Sequence, residues 1–371
     1  LPALSQFYSH LFPANLRIFT AEKALAHFPQ GAMPLSRGVV SQDYALDRQQ
    51  ENGAILAGEG TMTLMKRPVR SRNMAAHDGQ RTHIRFFEEA RPRLLGIAYR
   101  ILGSRAEAED AVQDTFLRWQ AMDVGKVESP GAWLTTACTR RAIDMLRASY
   151  RSRVDYVGNW LPEPVHALSD SDAEAQMELS SSLSTAFLLM LERLTPKERA
   201  AYLLYEIFDM SYADVAALLD TNEPACRKLV SRAKARIGDN QVRYRPPPER
   251  QEELLGAFQD AIRTGQPRSL AAMLASDVRL TADGGGKVAT VTEILEGGAV
   301  LAFLTERLTE WWASYEWTFT DLNGLRGLVL REGEKIVATV SFAYDAADRI
   351  TDIFVVRNPD KLDGFGEVRI H

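Results

Sequence analysis

Cysteine is nearly absent. The 371-residue chain has two, Cys138 and Cys226, far apart and without a partner motif. This excludes a disulfide scaffold and a cysteine-based zinc site, and it fits a reducing compartment. Histidine is sparse as well: the six residues His10, His27, His77, His83, His166 and His371 form no HExxH motif or ligand cluster, so no metal and no cofactor is expected. No uncharged apolar run reaches the roughly 18–20 residues of a membrane span, and no membrane partner is expected. A basic start, apolar run and small-residue cleavage site do not occur together near the N-terminus, so no secretory signal is expected either. Charge of one sign is not in excess: 44 Lys and Arg stand against 49 Asp and Glu, for a net −5. That argues against a surface coated in basic charge but leaves room for local basic stripes. The remaining composition, 46% hydrophobic and 25% charged, is that of an ordinary globular protein long enough for about two or three domains.

Composition shifts divide the chain. Residues 1–75 have scattered Pro and Gly and weak periodicity. They read as a poorly defined N-terminal extension, and the basic stretch before Met74 favours a natural start near that residue. Residues 76–154 read as helical, with a box at Ser104–Glu107 and proline after Ser129 as start signals. Ala108, Ala111, Val112, Thr115, Phe116 and Trp119 recur at helical spacing and predict a buried face; Asp110, Gln113 and Asp114 lie opposite. Residues 155–182 hold Gly158, Pro162, Pro164 and an acidic Ser/Asp stretch, and read as a linker. A second helical block covers 183–240, opened by Thr195-Pro196 with Glu198 and by Ser211 with Asp214. Pro246-Pro247-Pro248 then marks a boundary. Beyond Glu249 a helix leads to a short strand at Asp277–Leu280, an aromatic helix end at Trp311-Trp312, and runs at Tyr315–Thr320, Leu325–Arg331, Lys335–Tyr344 and Ile350–Val356. Helix followed by antiparallel strands predicts an α+β domain over 249–363.

Helix–turn–helix is the strongest local signal. Ser211–Asp220 makes a short amphipathic helix, Thr221–Glu223 the turn, and Pro224–Arg236 a second helix carrying Arg227, Lys228, Arg232, Lys234 and Arg236 with no acid. Such a helix repels itself unless it faces an anion, and DNA phosphate is the obvious one. Its N-terminal part enters the major groove in motifs of this kind, so Arg227 and Lys228 are expected at base edges. Arg232, Lys234 and Arg236 are expected on the backbone. A second basic segment holds Arg140, Arg141, Arg147, Arg151 and Arg153 against Asp144, interleaved with Trp133 and Tyr150. Cations with aromatics suit opened, single-stranded nucleic acid. Trp133 by itself reads first as a core residue, whereas Tyr150 is as well suited to bases.

Duplex and opened-strand segments about 80 residues apart match promoter recognition. Here the chain resembles the extracytoplasmic-function sigma factors of the sigma-70 family. Ala90–Ser104, Ala108–Trp119 and the helix Trp133–Arg147 resemble sigma region two; Leu194-Thr-Pro-Lys-Glu-Arg199 through Arg236 resembles region four. Trp160-Leu-Pro-Glu-Pro164, Asp283-Gly-Gly-Gly-Lys287 and Asn358-Pro-Asp-Lys-Leu362 narrow the resemblance to the sigma-J-type subgroup, which has a SnoaL-like domain fused behind region four. The resemblance implies a multidomain chain: an all-α region two, an all-α helix–turn–helix region four and an α+β SnoaL-like (NTF2-like) cone. It implies core RNA polymerase as partner, through its clamp coiled coil and flap, with Asp110, Gln113 and Asp114 on the clamp. Minus 10 DNA would be met as opened strand by Arg140, Arg141, Asp144, Arg147, Tyr150 and Arg151. Minus 35 DNA would be met as duplex by Asn222, Arg227, Lys228, Ser231, Arg232, Lys234 and Arg236. Regulatory contacts would join Trp160, Leu161 and Pro162 to Asp283, Gly284, Gly285, Gly286 and Lys287 and to Asn358, Pro359, Asp360, Lys361 and Leu362.

The C-terminal domain, on this reading, modulates promoter activity within the chain, in a bacterial cytoplasm and at the nucleoid. Its pocket leaves room for an unidentified small ligand. The glycine run is no phosphate loop, because GxxxxGK[ST] spacing is missing and Val288 follows Lys287. It reads as a hairpin turn or as a docking surface. Some SnoaL relatives are acid–base enzymes; here the acids would be Asp283 or Asp345, with no internal histidine to help, and no catalytic residue is expected. Two other readings stand beside the sigma factor: a one-component helix–turn–helix regulator with a ligand-sensing pocket, and a DNA-tethered SnoaL-like enzyme.

Overall fold

The computed structural model describes residues 69–166, 181–238, 244–266, 268–312, 314–363 and 365. The first helical domain is built on three helices: α1 (Val69–Leu102), α2 (Arg105–Gln120) and α3 (Pro130–Val154). The N-terminal extension expected over 1–75 lies mostly outside the described residues, and the boundary at 75/76 falls inside α1. Ser104 caps α2 as expected, its hydroxyl accepting Glu107 N–H at 3.2 Å. The predicted apolar stripe of α2 is buried in full, from Ala108 to Trp119. Trp119 donates its indole N–H to the His83 carbonyl at 2.8 Å and packs on Trp133, ring centroids 5.3 Å apart. Trp133 is half-buried and packs against this core.

The second helical domain holds α4 (Thr185–Leu191), α5 (Pro196–Glu206), α6 (Tyr212–Leu218) and α7 (Glu223–Ile237). Thr195 and Glu198 form the full reciprocal capping box at the start of α5. Arg199, 1% exposed, reaches out of α5 to the Ile101 carbonyl of the first domain at 2.7 Å. One continuous apolar cluster therefore runs from Phe87 to Ala233 across both helical domains.

The C-terminal domain starts with α8 (Pro248–Thr264) and the short α9 (Arg268–Ala271), then β1 (Leu274–Asp283) and β2 (Leu295–Glu296). Next come α10 (Gly298–Phe303), a π-helical turn at Leu304–Leu308, and α11 (Thr309–Trp312). β3 (Glu316–Leu322), β4 (Leu325–Glu332), β5 (Lys335–Tyr344), β6 (Ile350–Val356) and α12 (Pro359–Leu362) complete it. The sheet order is β2-β1-β6-β5-β4-β3. The expectation of antiparallel strands fails at one place: β1 pairs with β6 in parallel, Ala282 beside Val355 and Asp283 beside Val356. A parallel pair needs a long crossover, and α10, α11 and the β3–β5 meander supply it.

One sheet face packs on α8, with Leu254, Leu255, Phe258 and Ile262 in the core. The other face does not stand open. Phe354 and Val356 meet Leu161 of the linker and Leu362 of α12, with Ala186 and Leu189 of α4 against them. Thr185 of α4 and Ser341 of β5 share a hydroxyl–hydroxyl hydrogen bond of 3.1 Å.

Candidate DNA interface and linker junction

Residues 155–166 join the domains without helix or strand, turning at 155 and bending at 157–158, and the acidic stretch at 167–180 lies outside the described residues. Trp160 lies against Gly103, the residue after α1. A Cβ on Gly103 would stand 2.7 Å from the indole, and Gly103 has φ +70°, so glycine is needed twice over. Glu163 is buried at the N-terminus of α2, its carboxylate accepting Arg105 N–H at 2.7 Å and the Ser104 hydroxyl at 2.8 Å. Tyr99 donates to the Glu163 carbonyl at 2.6 Å and receives the Asn323 amide at 2.6 Å. Asn323 also trades hydrogen bonds with Val165 at 2.8 and 3.3 Å. Asn323-Gly324 is the β3–β4 turn, both residues at positive φ.

The expected regulatory residues converge. Asp283, fully buried at the end of β1, accepts Leu161 N–H at 2.9 Å, the Tyr156 hydroxyl at 2.6 Å, Gly285 N–H at 3.0 Å and the Lys361 ammonium at 2.7 Å. Lys361 also donates to the Leu161 carbonyl and lies 4.5 Å from the Trp160 ring centroid. Asn358 caps α12 by accepting Asp360 N–H at 3.1 Å and donates to the Tyr156 hydroxyl at 2.8 Å. Pro359 takes the first helical position, and Leu362 is buried beside Leu161. Asp360 pairs with Lys287 at 2.6 Å. Pro162 is buried in the same stretch of linker. Burial, then the bond to Asp283, holds the Tyr156 phenol above its usual range. The glycine run is a close-approach turn: Gly285 and Gly286 have positive φ, and added Cβ atoms would strike Asn358 and Val157. An added Cβ on Gly284 would strike the Val288 carbonyl.

Neither carboxylate considered for acid–base work is poised for it. Asp283 is saturated by these donors, and Asp345 accepts Ala347 N–H, Arg349 N–H and the Arg349 guanidinium in its own turn.

The two basic segments meet. Arg140 donates from α3 to the Leu218 carbonyl at 2.8 Å and the Ala217 carbonyl at 3.3 Å, at the C-terminus of α6. Arg141 pairs with Asp114 at 2.7 Å, joining an expected minus 10 residue to an expected polymerase residue. Asp110 is exposed and Gln113 half-buried on the same face. Partial desolvation by the surrounding helix face, and then the nearby Asp114, raises the Asp110 carboxyl above its usual range. Asp144 pairs with Arg147 in an exposed i,i+3 contact. Tyr150 and Arg151 stand on the last turns of α3, but their side chains lie outside the described residues.

The recognition helix differs from expectation in one respect. It begins at Glu223, so it does contain an acid, and Glu223 pairs with Arg227. Arg227 lies over the Tyr212 ring at 4.2 Å. Lys234 pairs with Glu206 at 2.7 Å and Arg236 with the buried Glu198 at 2.6 Å, so both tie α7 to α5. Asn222 uses its carbonyl to cap α7, on Ala225 N–H at 2.9 Å. Lys228, Ser231 and Arg232 face outward, and the two cations form no ion pair among the described residues.

Sequence reasoning missed Tyr156, Glu163 and Asn323. A signal existed for two of them: an acid enclosed by prolines, and Asn-Gly between two strand-like runs. For Tyr156 there was none, since its partner lies 127 positions away.

Comparison with known proteins gives the following. The family profile described as Sigma-70 region 2 matches residues 86–152, and that described as Sigma-70, region 4 matches 184–237. The chain is 33% identical over 296 residues to the ECF RNA polymerase sigma factor SigJ of Mycobacterium tuberculosis, spanning 75% of this chain and 92% of that protein. It is 28% identical over 183 residues to the probable ECF RNA polymerase sigma factor SigI of the same species, 49% of this chain and 63% of that one. The crystal structure of Mycobacterium tuberculosis SigJ superposes with TM-score 0.58 at 28% identity, covering 76% of this chain and 99% of that one.

Proposed function

The chain belongs to the extracytoplasmic-function group of the sigma-70 family, and from that membership we propose how its domains divide the work and how the third controls the other two. It is an alternative sigma factor, not an enzyme: it binds core RNA polymerase and promoter DNA and starts transcription. The regulator and enzyme readings fall away with that. No described helix is long and apolar enough to cross a membrane; work at the nucleoid follows from DNA binding.

In our reading, the exposed face with Asp110, Gln113 and Asp114 meets the polymerase clamp. Lys228, Ser231 and Arg232 meet minus 35 duplex, with Arg227 steered by Glu223 and Tyr212. Arg140, Arg141, Arg147, Tyr150 and Arg151 meet minus 10 DNA after release. Release is the central point. Arg140 is held by Leu218 and Ala217 of the helix–turn–helix, and Arg141 by Asp114. The arrangement is therefore a closed state, and promoter capture separates α3 from α6.

The observation that carries cis control is the buried Asp283 carboxylate, which receives the linker through Leu161 and Tyr156. By fixing the linker against region two and the C-terminal sheet at once, it sets how far region four can move. A ligand or partner that favours one linker position shifts the equilibrium by its differential affinity.

Run-off transcription with purified core polymerase and a promoter library tests the assignment. Promoter-specific initiation by the full chain, falling steeply with salt, is expected. Failure to associate with core, together with tight duplex binding by the chain alone, would refute the polymerase-face and opened-strand assignments.

A further inference from the structure

Arg227 is held unlike the other outward cations of α7. Lys228 and Arg232 form no ion pair among the described residues, whereas Arg227 is fixed from two directions. Its guanidinium lies over the Tyr212 ring, 4.2 Å from the centroid. Tyr212, the first residue of α6, is in turn stacked on Tyr205 near the end of α5, with centroids 3.9 Å and planes 19° apart. Both tyrosines are half-buried and pack against the helical core. The two-ring platform is thus set by the body of the domain, and the arginine rests on it.

Glu223 supplies the second hold. One carboxylate oxygen accepts from Arg227 Nε at 3.1 Å and from Nη2 as well. A guanidinium carries five N–H donors in one rigid plane. Glu223 occupies the Nε side, so the Nη1–Nη2 end of the fork is left to meet two acceptors at once. In the major groove guanine offers O6 and N7 side by side, and arginine is the common bidentate partner of that edge. The pair with Glu223 adds little to stability, because the two side chains are 58% and 45% exposed. Its effect is on direction: an exposed arginine ordered before DNA arrives loses less freedom on binding.

We propose that Tyr212, backed by Tyr205, is a positioning residue that determines promoter specificity: together with Glu223 it presents the Nη1–Nη2 edge of Arg227 to one guanine of the minus 35 duplex. The proposal rests on the assignment of α7 to that duplex. Tyr212 acts through Arg227 and not on the base itself. Arg232, further along α7 and without such a platform, supplies affinity that does not depend on the guanine.

The test uses the full chain bound to core polymerase and a fluorescent promoter duplex selected from the library. Each guanine of the minus 35 element is replaced in turn by 7-deazaguanine, which lacks the N7 acceptor and keeps the base pair. One such replacement is expected to weaken binding about tenfold, the loss of one hydrogen bond to a charged donor. Arg227→Ala should abolish that sensitivity. Tyr212→Leu should cut it to about threefold or less, whereas Tyr212→Phe, which keeps the ring, should retain it. Glu223→Gln, at the exposed start of α7, should lower it too, and decides the matter if Tyr212→Leu does not fold. The proposal is overturned if no guanine is sensitive in the unchanged chain, if sensitivity is unchanged in folded Tyr212→Leu or in Glu223→Gln, or if Tyr212→Phe loses it as Tyr212→Leu does. Arg232→Ala separates the two levels. If it leaves binding to this promoter unchanged, the assignment of α7 itself fails; if it weakens binding while Tyr212→Leu keeps full sensitivity, only the positioning role fails.

Discussion

Asp283 and Leu161 lie 122 positions apart in the chain, and the buried carboxylate of one accepts the backbone N–H of the other at 2.9 Å. A backbone donor in a linker has few ways to be specific. Here it is specific because the acceptor is fixed by Tyr156, Gly285 and Lys361 as well. The linker's path is thus set by a residue of the third domain.

Asp283→Asn keeps the shape but leaves the Lys361 ammonium beside a neutral amide. Breaking a buried pair by removing one partner costs about 3–5 kcal/mol. Urea unfolding of the full chain should show a loss of that order, and hydrogen exchange at residues 156–163 should speed up. Unchanged exchange there would mean that Asp283 does not hold the linker.

Gly103→Ala sets a Cβ against Trp160 and puts alanine at φ +70°. The backbone contribution alone is about 1–3 kcal/mol. In a Trp160→Ala background the clash disappears and only that contribution remains, so the two substitutions should couple in a double-mutant cycle on unfolding. Strict additivity would place Trp160 away from Gly103.

Arg232→Ala should weaken promoter binding across sequences and lower the salt slope by about one. Lys228→Ala, nearer the helix start, should also alter base preference at the minus 35 element. Arg236→Ala should instead lower the melting temperature, because it removes the cation paired with the buried Glu198. Fluorescence anisotropy at several salt concentrations and a thermal scan separate the two classes.

Much of this was legible in advance for reasons that can be stated. The α2 stripe from Ala108 to Trp119, the Thr195–Glu198 box and the strand runs from Leu325 onward are local patterns, and local physics kept them. The linker and C-terminal motifs do converge; the acid between two prolines marked Glu163 as unusual, but its target, the N-terminus of α2, lies 58 positions away and is set by tertiary packing. The parallel β1–β6 pairing escaped because period-two patterning states that a strand exists, not which neighbour it takes. Arg140 and Arg141 looked like free cations for the same reason. Their partners, the Leu218 carbonyl and Asp114, are set by how α3 packs against α6 and α2, which charge counting does not see.

His166 supplies a pH prediction. Burial holds its pKa below the ordinary value, with the Asp321 carbonyl opposing and nearby Arg105 assisting. The folded state therefore prefers the neutral ring, which packs tilted against Phe365 with centroids 4.0 Å apart. Stability from this group is present above the unfolded value of about 6.5 and is lost as pH falls through the lower folded value. Between about pH 7 and pH 5 the melting temperature of the chain should fall more than that of His166→Gln. Parallel curves would remove His166 from the acid response.

Control of the two DNA-binding domains through Asp283 is tested most directly by run-off transcription from one promoter with core polymerase and three full-length chains: unchanged, Asp283→Asn and Lys361→Met. Both variants release the linker from the same junction. The account predicts that both shift promoter-specific output in the same direction. Output identical to the unchanged chain in both, with hydrogen exchange showing the linker released, would contradict it.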